Sequence, residues 1–318
     1  MAQQINASAA QSLCEKIKMN INRIMIGKDK TIDSLLIALA ASGHVLLEDV
    51  PGIGKTTLIK ALARSLALDF KRIQFTPDLM PSDITGFSIY NQKTGEFEFQ
   101  KGAIMAQMVL ADEINRSSPK TQSALLEVMQ EQQVSVDGVT YQLPHPFLVM
   151  ATQNPVEQLG TYPLPEAQLD RFMLKISMGY PTIDEEVEIL NVCSSDHPME
   201  SIQAVAGPNE VNWLRAQAQG VHCSDSVKVY IAQIMADTRR HPDVKLGASP
   251  RASTMLMNAA KARALLQGRD YTRPDDVQVM AASVLGHRLT LYPAATLHRI
   301  SEQTIIGEIL QRVPVPVR

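Results

Sequence analysis

The sequence predicts an α/β protein: a parallel, five-stranded sheet lying between helices, followed by an all-helical region. Three observations carry that expectation. Five short apolar runs, His44–Leu47, Arg72–Phe75, Met108–Ala111, Phe147–Ala151 and Met173–Ser177, lack strict alternation and are separated mostly by helical patterns. Strands buried on both faces of a parallel sheet read this way. A glycine-rich turn, Asp49–Thr56, joins the first run to a helical pattern at Leu58, Leu62 and Leu66. From Ile183 onward only helical spacing remains.

Taken in order, Ser8–Ile26 reads as a lead-in helix, Gly27 as a turn and Lys30–Ala41 as a second helix ahead of the first strand. Met80–Ala103 interrupts the helical pattern after the second strand with Phe87, Tyr90, Phe97 and Phe99, strand-like aromatic residues. Val134–Tyr141 alternates around Asp137-Gly138, a strong signal for a two-residue hairpin. The character changes after Tyr180-Pro181, which divides the chain into 1–180 and 181–318. Beyond it, helices are expected over Asp184–Cys193, Glu210–Ala218, Ser226–Arg239, Pro250–Leu266, Asp275–Leu289 and Ser301–Gln311. Ser249 before Pro250 is a cap followed by a first helical residue, and Thr272 with Asp275 has the spacing of a capping box. Val313–Arg318 reads as a frayed end.

A chain of 318 residues is long enough for two domains. Its formal charge is −3, with −2 over residues 1–180 and −1 over the rest, so no basic domain marks it for nucleic acid. No apolar run approaches the roughly 20 residues of a membrane span, and Met1–Ala10 lacks the basic and apolar regions of a signal peptide. Cys14, Cys193 and Cys223 are few and far apart, as reduced thiols of a cytoplasmic protein would be. The histidines show no metal-ligand spacing; His44, opening a strand, reads as a core residue, and Met105, Met108 and Met129 as core packing.

The chemistry begins in the glycine-rich turn. Strand, glycine loop and helix in that order make a phosphate cradle, because Gly52 and Gly54 free backbone N–H groups to point inward with no Cβ in the way. Lys55 can reach the β- and γ-phosphates of a nucleoside triphosphate, and the Thr56 hydroxyl can ligate Mg²⁺. The general pattern wants glycine where Asp49 stands, so that side chain must turn away from the phosphates. Met108–Ala111 ends in Asp112 and Glu113, carboxylates suited to the Mg²⁺ shell and to orienting and deprotonating an attacking water. Asn154 closes the next buried run, where it can bond the γ-phosphate or the water. Arg171 precedes the fifth strand and Arg251 follows the Ser249-Pro250 helix start; either can neutralise transition-state charge or serve as a surface ion pair.

These parts together resemble the AAA+ superfamily, and within it the MoxR-type ATPases, over nearly the whole chain. The distinctive stretches are Leu47–Thr56, Ala111–Arg116, Ala151–Pro155, Leu164–Phe172 and Gly268–Tyr271. The resemblance implies a P-loop AAA+ core and helical lid with ATP between them, and ATP hydrolysis with Mg²⁺. Pro51, Gly52, Ile53, Gly54, Lys55, Thr56 and Thr57 would form the first nucleotide motif, Asp112 and Glu113 the second. Ile26 and Gly27 match the segment that packs on adenine. Asn154 would be sensor 1, Arg171 the finger given to a neighbouring subunit, Arg251 sensor 2 on the lid, with Arg116 a second arginine of the pattern. Residues of about 80–103 resemble the helix-2 insert and those of about 132–146 the hairpin before sensor 1. The family further implies a hexameric homo-oligomeric ring in the cytoplasm that remodels protein clients such as maturing metalloenzymes, often beside a von Willebrand factor A domain partner. A nucleic-acid-directed motor and a nucleotide-gated scaffold with little turnover are the competing readings; the balanced charge opposes the first and Glu113 the second.

Overall fold

The computed structural model describes residues 5–154, 160–193 and 198–316, with the side chains of 192, 193, 198 and 296 also outside the description. Pro155, Val317 and Arg318 therefore lie outside the described residues, as does the Cys193 side chain. Helices α1 (Ala7–Ile21) and α2 (Asp29–Ala40) lead into β1 (Val45–Glu48) and α3 (Lys55–Ser65). Strand β2 (Phe70–Gln74) follows, then the short α4 (Pro81–Thr85), the hairpin β3 (Gly86–Asn91) and β4 (Glu96–Lys101), and β5 (Met108–Asp112). Next come α5 (Pro119–Glu131), a second hairpin of β6 (Gln133–Val136) and β7 (Val139–Gln142), β8 (Leu148–Gln153), α6 (Glu166–Leu169) and β9 (Leu174–Ile176). The remainder is α7 (Ile183–Cys193), α8 (Pro208–Gly220), α9 (Asp225–Arg240), β10 (Val244–Leu246), α10 (Pro250–Leu266), α11 (Pro274–Leu285), β11 (Thr290–Leu291), α12 (Pro293–Leu297) and α13 (Glu302–Arg312).

Five strands form one parallel sheet in the order β2-β5-β8-β1-β9. Both faces of β1, β5 and β8 are buried, which is why these strands show no alternation, whereas the edge strand β2 exposes Lys71 and Arg72. Val45, Leu47, Met108, Leu110, Leu148 and Met150 point into one apolar cluster with α1, α2 and α3. Leu46, Val109, Ala111, Val149 and Ala151 point into another, against Leu125, Leu126 and Met129 of α5. The first cluster continues without a break into α8–α11 and α13, and α10 packs on both α1 and α2. The apolar interior therefore does not divide at residue 180.

Asp137 and Gly138 both adopt positive φ, 51° and 79°, and turn the second hairpin as the dipeptide predicts. The two hairpins touch: Phe99 of β4 stacks on Tyr141 of β7 with ring centroids 4.0 Å apart. His44 is buried, as are Met108 and Met129, while Met105 is only half-buried.

Several local expectations shift. The lead-in helix stops at Ile21 rather than Ile26, because the N–H groups of both Ile24 and Met25 turn back onto the Ile21 carbonyl. The helix expected to Leu289 stops at Leu285, and His287 and Arg288 turn inward to the Phe172 carbonyl. A small antiparallel ribbon, β10 with β11, interrupts the helical region; pairings of two or three residues are too short to show a period. The capping box before α11 sits one residue later than expected: Asp276, not Asp275, accepts the N–H of residue Arg273, at 2.8 Å. Asp276 is drawn inward by Arg263 and Arg269, and this ion cluster is the structural core of the Gly268–Tyr271 stretch. Among the described residues no helix is long and apolar enough to cross a membrane.

Candidate functional site

In a parallel α/β sheet the crevice lies at the carboxyl ends of the strands. At that edge Pro51, Gly52, Gly54, Lys55, Thr56, Thr57, Asp112, Glu113, Thr152 and Asn154 line one cavity of about 330 Å³. Gly52 and Gly54 take positive φ, 85° and 88°, which glycine alone adopts cheaply. A Cβ on Gly52 would meet nothing within 4 Å, so the cradle there is open space. Gly54 begins α3 without a side-chain cap, leaving first-turn N–H groups aimed into the cavity. Lys55 Nζ donates to the Asp49 carbonyl at 2.7 Å; burial lowers its pKa, against the pull of Asp49, Asp112 and Glu113.

Asp49 turns away from the cavity, as its charge demands. Its carboxylate accepts hydrogen bonds from Ser177 Oγ at 2.7 Å and from the N–H groups of Met178 and Gly179. Lys28 Nζ holds the carbonyls of the same two residues at 3.0 and 3.1 Å. The start of the phosphate loop, the strand-to-α7 connection and the Ile26–Gly27 segment are thereby knotted together. Ile26 and Gly27 do not line the phosphate cavity but flank it: Met25 Cε lies 3.6 Å from a Cβ placed on Gly54. Gly27 has φ 66°, and the Glu185 carboxylate occupies the space a Cβ would need.

The two carboxylates are oriented by residues whose roles the motifs did not reveal. Thr152 Oγ1 donates to Asp112 at 2.6 Å and accepts the Glu113 N–H at 2.8 Å. Arg72 on β2 forms an ion pair with Asp112 at 2.6 Å. Glu113 sits in the left-handed region, φ 57° and ψ 50°, and accepts from Gln74 Nε2 at 2.8 Å and Arg116 Nη1 at 2.9 Å. Such backbone strain is held only where surroundings impose it, here the Thr152 bond and the two donors. Arg72 and Gln74 share one face of the edge strand β2, and the register that sets Gln74 opposite Asp112 is visible only in the folded sheet. Arg116 thus faces the site of its own chain.

Thr56 and Asp112 fit Mg²⁺: both supply oxygen to the same cavity, and a magnesium bound through phosphates takes only one or two protein ligands.

Arg171 and Arg251 lie elsewhere. They line a separate cavity of about 300 Å³ with Gly43, His44, Gln132 and Met173. Those residues precede β1 and β9 or follow α5, which sets the cavity at the amino ends of the parallel strands. The structure does not bring Arg251 to the phosphate cavity of its own chain, so the expected sensing across a core–lid cleft has no geometry here. The lid helix α10 packs behind the sheet on α1 and α2. Arg251 lies instead 3.9 Å from Asp170, next in sequence to Arg171.

Comparison with known proteins identifies the family. Residues 44–174 match the profile of the ATPase family associated with various cellular activities, and residues 236–309 that of the AAA lid domain. The uncharacterized protein YeaC of Bacillus subtilis is 56% identical, aligned over 96% of each chain. Chaperone MoxR1 of Mycobacterium tuberculosis is 43% identical over 95% of this chain and 82% of its own. The crystal structure of an ATPase candidate from Cytophaga hutchinsonii superposes with a TM-score of 0.92 at 41% identity, covering 98% of this chain and 97% of that one.

Proposed function

The chain belongs to the MoxR-type AAA+ ATPases, and from that premise we propose that it hydrolyses ATP at sites shared between subunits of a homo-oligomeric ring. One observation carries the reading: Arg171 and Arg251 occupy the sheet edge opposite the phosphates. The intervening four-residue strand β1 alone spans ~13 Å at about 3.3 Å per residue. No side-chain rotation takes either arginine to the γ-phosphate of its own chain, whereas a neighbour stacked head to tail can receive both. Heterologous contacts of that kind close into rings, here a hexamer.

In this reading the glycine loop and the α3 N-terminus bind the phosphates, and Lys55 bridges the β- and γ-positions. Thr56 and Asp112 would hold magnesium, which would supply charge neutralisation along the phosphates. Glu113 accepts the proton of the attacking water, Asn154 fixes that water or the γ-phosphate, and Ile26–Gly27 flank the base. Arg171 and Arg251 of the next subunit stabilise the charge that develops in transfer. We take the nucleotide core to end near residue 180 and the lid to begin at 181. The stacked hairpins β3–β4 and β6–β7 carry exposed Phe87, Tyr90 and Phe97 and are the surface we assign to a protein client, a maturing metalloenzyme with a von Willebrand factor A domain partner being the type. A cytoplasmic setting agrees with the unpaired thiols of Cys14 and Cys223.

The test is the ATPase rate per subunit across protein concentration, with Arg171→Ala and Glu113→Gln measured alone and mixed. Shared sites require a rate that rises as rings assemble, two inactive variants, and recovery of activity on mixing. A concentration-independent rate with an active Arg171→Ala variant would mean a self-sufficient site and defeat the reading.

A further inference from the structure

Asp170 stands where the chain crosses from α6 to β9, immediately before Arg171. Its carboxylate accepts from Ser249 Oγ at 3.2 and 3.0 Å and from Arg288 Nε at 2.8 Å, and lies 3.9 Å from Arg251 Nη1. Its carbonyl accepts from Arg288 Nη2 at 3.1 Å. Ser249 is also the N-cap of α10, accepting the Ala252 N–H at 3.3 Å, and Arg251 lies in the first turn of that helix. Arg288, whose side chain is only 2% exposed, adds bonds to the carbonyls of Phe172 and Met173 on the far side of Arg171. One carboxylate thus joins the loop bearing Arg171 to the helix bearing Arg251, through partners from two separate stretches of the lid.

The electrostatics point the same way. Arg251 and Arg288 both approach the Asp170 carboxylate, and Arg171 lines one cavity with Arg251, so three guanidinium groups share one neighbourhood. Like charges held together await an anion, and phosphate oxygens of a neighbouring site would supply it. Arg288 is buried and bonded to three carbonyls of this stretch as well as to the Asp170 carboxylate, so the lid holds the Asp170 side chain while the turn after α6 holds its N–H.

We propose that Asp170 is the positioning residue of the shared site: it locks Arg171 and Arg251 into one rigid pair, so that the lid sets the aim of the arginine given to the next subunit. This rests on the shared-site reading above. Misplacement of about 1 Å by a remote change costs up to roughly 10²-fold in rate. We therefore expect Asp170→Ala to lower kcat between about tenfold and that limit while leaving KM for ATP unchanged, since its own phosphate edge is intact. Asp170→Asn, which keeps size and an acceptor for Ser249, should lose less and serves if the alanine variant does not fold.

The deciding measurement mixes either variant with Glu113→Gln subunits. A subunit altered at Asp170 keeps a working phosphate edge, and Glu113→Gln subunits keep intact arginines, so mixed rings should exceed the summed activity of the two alone. A role confined to folding or assembly would give no such rescue. Wild-type kcat in Asp170→Ala, or in Asp170→Asn where only that variant folds, overturns the proposal and leaves the shared site standing. So does failure of rescue where Arg171→Ala with Glu113→Gln is rescued. Failure of that control removes the shared-site reading, and the proposal with it.

Discussion

The two edges of the central sheet are built in opposite ways. The carboxyl edge is assembled from chain segments that each follow a strand: the loop after β1, the pair ending β5, and Asn154 after β8. The amino edge is assembled across the whole chain, from Gly43, Gln132, Asp170–Met173, Ser249–Met255 and Arg288. The first edge holds the glycine loop, Lys55, Thr56, Asp112 and Glu113 but, among the described residues, no arginine from the lid. The second holds two arginines and no phosphate loop. In the proposed reading neither is a whole ATPase site, and a ring would bring them together.

Changing Glu113 to Gln should have the largest effect and sharpen the contrast most. Removal of a general base costs on the order of 10²–10⁴ in rate, and the neutral amide can still accept from Gln74 and Arg116. ATP affinity measured by calorimetry should stay within a few-fold, while kcat collapses. If binding falls as far as turnover, Glu113 holds the loop together and its role as base is lost.

The same contrast explains what could be read from the sequence. Gly52, Gly54, Lys55, Asp112 and Glu113 were legible because strand and loop order alone fixes their meeting. Asp49 was legible by exclusion, since an acid beside phosphates must turn away. Thr152, Arg72 and Ser177 were not, because their partners lie across strands and no local spacing records register. Arg171 and Arg251 could be found as residues but not placed: where the lid packs is decided by the apolar faces of α1, α2 and α10. The ribbon β10–β11 and the shifted cap at Arg273 show the same limit, set by pairing too short or a buried ion cluster too distant for periodicity.

A middle-sized effect is expected at Asp49, which ties the carboxyl edge to the connection entering α7. Asp49→Ala leaves the Ser177 hydroxyl and the Met178 and Gly179 N–H groups without their acceptor. Unsatisfied buried groups cost about 1–3 kcal/mol each, softened where water enters. Thermal unfolding should fall accordingly and ATP affinity should weaken. The Asp49→Ala subunit should still donate arginines normally, rescuing Arg171→Ala partners in mixed rings. If it cannot, the two edges are not independent and the contrast fails.

The smallest effect concerns pH and distinguishes the edges by titration. His44 lines the arginine cavity, whereas among the described residues no histidine lines the phosphate cavity. Its Nδ1 accepts the Val149 N–H at 3.0 Å, and Nε2 lies 3.1 Å from the Met129 carbonyl, an arrangement that suits the neutral ring with its proton on Nε2. Burial, offset in part by the Met129 carbonyl and reinforced by Arg215, lowers its pKa from 6.5 to about 4. The folded state thus binds this proton less readily than the unfolded chain. The associated stability is present above pH 6.5 and is lost as pH falls from there toward 4; the shift corresponds to about 3 kcal/mol. His287, buried against Phe172 and Arg288, is displaced in the same direction and adds to the trend. Unfolding curves for the parent and His44→Gln across pH 7 to 4 isolate the His44 contribution, because every carboxylate common to both cancels in the difference. The variant should start less stable at pH 7 and lose less stability on acidification, so that the two curves converge. Parallel curves would mean that His44 gains a partner for its second proton on folding, and that the arginine edge tolerates acid as well as the phosphate edge does.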